Sequence, residues 1–171
     1  MNASHIIALI GILMFATGSA IVPTLRALVL KQAESHKTIS DGLTGPWHWF
    51  EDAGFAALSA ALIYLGIALA SPVSWLAWLV AAGVAGAMLT DTFRLGGTKY
   101  REYHLISAGV AFVGALFLEI ALAHGWLLWA LVIAYPVSVG AMHLMWPKYT
   151  AWQEKTAALA IVLYLVVWGF Q

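Results

Sequence analysis

The chain has 171 residues, 63% of them hydrophobic and only 9% charged, with a mean hydropathy of +0.87. Soluble domains carry about 25% charged residues, so this composition excludes an ordinary water-soluble fold and points to an integral membrane protein. The lack of cysteine excludes disulfides, thiolate metal sites and thiol redox chemistry, while a net formal charge of zero identifies no partner and gives no reason to expect nucleic acid.

A membrane-spanning helix needs about 20 predominantly apolar residues. Six apolar runs approach or meet that length, at about 6–25, 50–70, 75–90, 104–123, 125–146 and 156–170. The expected fold class is all-α: one integral membrane bundle of six transmembrane helices, with residues 1–171 forming a single domain. No Lys or Arg precedes the first run, and it exceeds the 7–15 apolar residues of a signal segment. It is therefore expected to remain as the first helix, kinked near Pro23.

The second run opens with Glu51 and Asp52, and "SPVS" links it to the third. In the third run "AAGVAGA" sets Ala82 against Gly86 and Gly83 against Ala87 at four-residue spacing, the pattern through which helices approach closely in lipid. That run closes with Asp91. The fourth opens with His104, offers Ser107 and Ala111 as another seam, and carries Glu119, the one acidic residue inside a span. The fifth holds Pro136, expected to kink it, with Tyr135 beside the kink where it can line a cavity, and His143 near its end.

All eight basic residues fall on alternate connections: Arg26, Lys31 and Lys37; Arg94, Lys99 and Arg101; Lys148 and Lys155. By the positive-inside rule, loops 26–49, 91–103 and 147–155 are expected to be cytoplasmic and both termini outside, in a multi-pass protein of the cell's inner (plasma) membrane. The nine tryptophans fall near one interface or the other, Trp168 among those of the face opposite the basic loops, as headgroup anchors do.

The acidic residues are equally one-sided. Glu51, Asp52, Asp91, His104 and His143 share a depth near the basic loops, and Asp41 and His48 can fold over them. Such a group can bind a divalent metal or supply an acid and a base. The bland account stands beside it: Glu51 and Asp52 at a helix start suit the helix dipole, and no metal-ligand spacing, nucleophile elbow or phosphate loop occurs. Glu119, whose burial in a span is costly unless it is paired, is expected to find a Thr, Ser or Tyr within the bundle, or His5 or His124.

The segment "ISD" at Ile39, Ser40 and Asp41, then Gly45, Trp47 and the "GF" of Gly54 and Phe55, followed by "TD" closing the third run and "HLISAGVAF" opening the fourth, resembles the prokaryotic six-helix membrane family catalogued as domain of unknown function 998. More distantly the pattern is similar to the FRAG/DRAM/Sfk membrane proteins. The chain departs from the family in its modest first loop and in lacking a Pro beside Asp91. The resemblance implies a lipid or another amphiphile as ligand, and the polar positions that match are Asp41, Asp91 and His104.

The leading expectation is a protein that binds a lipid or small amphiphile at a cytoplasmic-side polar pocket, with Asp41, Asp91 and His104 as its polar end and Glu51, Asp52, His143, Glu119 and Tyr135 as further ligand contacts. Membrane lipids are the expected partners, with further copies of the chain or subunits of a larger membrane complex. One alternative is an intramembrane acid/base or metal-dependent enzyme acting on a lipid or isoprenoid, and another is a small transporter using Glu119 and Tyr135. The sequence specifies no metal or cofactor.

Overall fold

The computed structural model describes residues 3–17, 48–69, 73–145 and 150–170. Among them the chain forms six α-helices and one 3-10 turn, with no strand: α1 (Ala3–Ala16), α2 (His48–Ala68), α3 (Ser74–Thr92), the 3-10 turn Gly97–Lys99, α4 (Tyr100–Leu122), α5 (Gly125–Met145) and α6 (Thr150–Gly169). Each helix falls on one of the six apolar runs. Three of them, α3, α4 and α5, are long and apolar enough to cross a membrane.

Two helices begin at least a full turn earlier than their apolar runs. α4 starts at Tyr100 and α6 at Thr150, because a helix continues through polar residues that have no place in hydrocarbon. His104 therefore lies one turn inside α4, not at its start.

The α3–α4 corner has a definite local cause. Arg94 adopts φ 46°, a left-handed conformation usually left to glycine, and so lets the Leu95 amide reach back 3.2 Å to the Thr90 carbonyl. The guanidinium then lies 5.9 Å from the centre of the Tyr100 ring, close enough for a cation–π contribution. Gly96, with φ 98°, completes the reversal into the 3-10 turn and α4.

Packing follows chain order through the first four helices, α1 on α2, α2 on α3 and α3 on α4; α5 pairs with α6, and α6 returns to touch α1 and α4. Helices α1, α2, α3, α4 and α6 thus surround a common centre, while α5 contributes nothing to its lining. The α3–α4 seam is built on small residues: a Cβ on Gly83 would stand 2.6 Å from the Ala111 amide nitrogen, and one on Gly86 2.7 Å from the Ser107 hydroxyl. Gly83 and Gly86 of α3 thus meet Ser107 and Ala111 of α4, whereas Ala82 is exposed and takes no part. A second seam, Gly11 of α1 against Ala57 and Ala61 of α2, is equally close.

The core holds Ile12, Leu62, Leu65, Leu118, Leu128 and Tyr164, with Phe15 and Phe55 meeting edge to face at 5.1 Å. Outside it, Ile10, Leu13, Ile67, Leu105, Ile133 and Val137 are among many large apolar side chains left exposed. Trp49, Trp75, Trp78, Trp126 and Trp129 are exposed too, but Trp168 is buried in the core. It is a packing residue where an interface anchor was expected, because α6 lies against α1 along its last turns.

Candidate functional site

At the end of the bundle that carries the α3–α4 corner, the last turn of α3 is tied to both of its neighbours. The Thr92 hydroxyl donates to Asp52 Oδ1 of α2 at 2.7 Å. One residue earlier, Asp91 Oδ2 lies 3.0 Å from His104 Nδ1 of α4. Asp91 and His104 are 6% and 8% exposed, so their meeting is a buried polar contact that the two helices enclose. The same ring nitrogen is 3.3 Å from the Ala87 carbonyl. Both partners are acceptors, which assigns the proton to Nδ1. A carboxylate that fixes an imidazole's tautomer in this way also orients it for acid/base work.

Asp91 and His104, expected from depth alone to converge, do so. Asp52 lies at the same end and accepts from Thr92. Asp41, and the side chain of Glu51, lie outside the described residues. His143 is exposed on α5, a helix that touches α4 only lightly. Among the described residues no group of three His, Cys, Asp or Glu side chains is close enough to hold a metal ion.

Above this pair runs an apolar cavity with about 820 Å³ of empty space, part of it open at the mouth. Phe15 of α1, Leu62 of α2, Val84 of α3, Ala111 and Ala115 of α4 and Val162 of α6 are among the side chains that line it. The alanines are what make the space: α4 turns Ala108, Ala111 and Ala115 inward where larger residues would fill it. Two polar residues of α4 line the cavity, His104 and Glu119. At 1.5 Å per helical residue they stand ~22 Å apart, against a hydrocarbon thickness of ~30 Å.

Glu119 is 1% exposed, and neither carboxyl oxygen has a hydrogen-bond partner among the described residues. Two of the partners expected for it are engaged elsewhere. Tyr135 is buried but donates to the Phe112 carbonyl at 3.3 Å, and it does not line the cavity. His124 Nδ1 is 3.0 Å from the Leu122 carbonyl. His5's side chain is outside the described residues.

Tyr164 is the residue that sequence reasoning missed. Fully buried on α6, it donates its hydroxyl to the backbone carbonyl of Glu119 at 2.7 Å. That carbonyl is available because the Ala123 amide, its ordinary helical donor, turns instead to Ile120 as α4 ends. A tyrosine within an apolar run was the available signal, since a buried tyrosine hydroxyl usually finds a partner.

No family model, curated protein or solved structure matches the chain.

Proposed function

We propose that the chain is a multi-pass membrane protein of six spanning helices that holds a lipid or another small amphiphile in the cavity between α1, α2, α3, α4 and α6. The observation that carries this reading is the cavity itself: long, apolar, and bounded along α4 by His104 and Glu119. Ligand sites are typically concave and mostly apolar with a few polar groups that set orientation, and the lining of this one runs along α4 from His104 to Glu119. The belt of exposed apolar side chains supports the membrane setting. The exposed Arg94, Lys99 and Arg101 at the Asp91–His104 end support assigning that end to the cytoplasm.

Thermal unfolding of the purified protein across a panel of lipids and single-chain amphiphiles tests this. One or more chains are expected to raise the midpoint in a concentration-dependent way, and a panel that leaves it unchanged contradicts the reading.

One observation favours a second reading, an intramembrane acid/base enzyme acting on a lipid or isoprenoid. The 3.0 Å contact between Asp91 and His104 stands at the cavity's end, with His104 among its lining residues. Under this reading His104 is the base and Asp91 its positioning residue. Asp91→Asn, at a residue outside the cavity lining, would then abolish turnover while leaving amphiphile binding intact, and His104→Ala would abolish turnover as well.

A further inference from the structure

The carboxyl of Glu119 is the unexplained group of this fold. Buried polar atoms in native proteins are hydrogen-bonded with few exceptions, and each exception calls for a reason. Among the described residues both oxygens of this one side chain are exceptions, in a residue that lines an apolar cavity. Among the described residues the hydroxyl that reaches Glu119, that of Tyr164, goes to its backbone.

From this we infer that Glu119 receives the head of a hydrophobic amine whose chain lies along α4 toward His104. The inference rests on the reading of the cavity as an amphiphile site and names the ligand's class. A bare charge in an apolar surrounding is costly, so the site gains most from a head that brings its own positive charge and several donors. An ammonium supplies three donors and no acceptor, and a carboxylate supplies acceptors alone. Such charge-assisted bonds are roughly twice as strong as neutral ones. An alcohol brings one donor, and an ionised fatty acid brings like charge.

The length also fits a single extended chain. From Glu119, Leu118, Ala115, Ala111 and Ala108 lead along one face of α4 to His104. The amine head would sit away from the Asp91–His104 pair, at the opposite end from the one that the sequence pattern marks out.

The test compares hexadecylamine, hexadecanol and palmitic acid at equal chain length, by competition with a fluorescent chain, on the full-length protein in nanodiscs and on Glu119→Gln and Glu119→Leu. The amine is expected to bind wild type at least about tenfold more tightly than the acid, a preference that both variants lose. Equal binding of amine and acid by wild type overturns the inference and leaves the cavity reading standing; so does an amine preference that persists in Glu119→Leu. Failure of all three chains to bind wild type overturns both. Glu119→Gln, which keeps the size and shape of the side chain, carries the comparison where Glu119→Leu does not fold.

Discussion

His104 and Asp91 occupy positions where a polar pair is both an opportunity and a liability. Each side chain is buried, and each relies on the other at 3.0 Å. Hydrogen bonds that involve a charged group contribute about 1.5–3 kcal/mol in water-soluble proteins, but polar contacts between helices in a bilayer average nearer ~0.6 kcal/mol. The lower scale governs here if the bundle is immersed in lipid. Asp91→Ala and His104→Ala, combined in a double-mutant cycle and followed by denaturing-detergent titration, are expected to give a coupling of about 1 kcal/mol. A coupling near zero would make the contact incidental.

Glu119 behaves in the opposite way. Its carboxyl has nothing to lose among the described residues, so Glu119→Leu is expected to stabilise the empty protein by about 1–3 kcal/mol, the usual cost of an unsatisfied buried polar group. A destabilised Glu119→Leu would mean that the carboxyl has a structural partner after all.

At the scale of the elements, helix existence and helix contact have different origins. Six apolar runs become six helices because local chain chemistry suffices for that. The seam of Gly83 and Gly86 against Ser107 and Ala111 is equally legible, since small residues at four-residue spacing mark close approach. Lateral order is not written in any one segment. Thr92's tie to Asp52, Tyr164's tie to the Glu119 carbonyl and the burial of Trp168 all depend on which helix stands beside which. Asp91 and His104 could be read as sharing a depth because they flank one short connection, and their contact then needed only α3 and α4 to be neighbours.

The seam yields its own prediction. On Gly83 a Cβ meets backbone atoms of α4, which cannot step aside as a side-chain tip can. Gly83→Ala is expected to cost about 1–3 kcal/mol through overpacking. Gly109→Ala, whose Cβ would meet nothing within 4 Å, should stabilise by up to ~1 kcal/mol through helix propensity. Unfolding of the two variants side by side checks both; equal effects would contradict the close approach of α3 and α4.

For the whole molecule, the proposed orientation makes the Lys99 and His124 ends face opposite compartments. The cysteine-free sequence permits a direct check with Lys99→Cys and His124→Cys. In intact cells a membrane-impermeant maleimide should label the His124 variant and spare the Lys99 variant, and inside-out vesicles should reverse this. Labelling of both from one side would refute the six-span arrangement.

The central claim is that the cavity among α1, α2, α3, α4 and α6 is a ligand site, and native mass spectrometry of protein released from its own membrane tests it most directly. The account predicts one retained amphiphile per chain, lost in Ala115→Phe, which fills the cavity from α4. A wild-type protein that carries no such adduct, or an adduct that survives in Ala115→Phe, would contradict it.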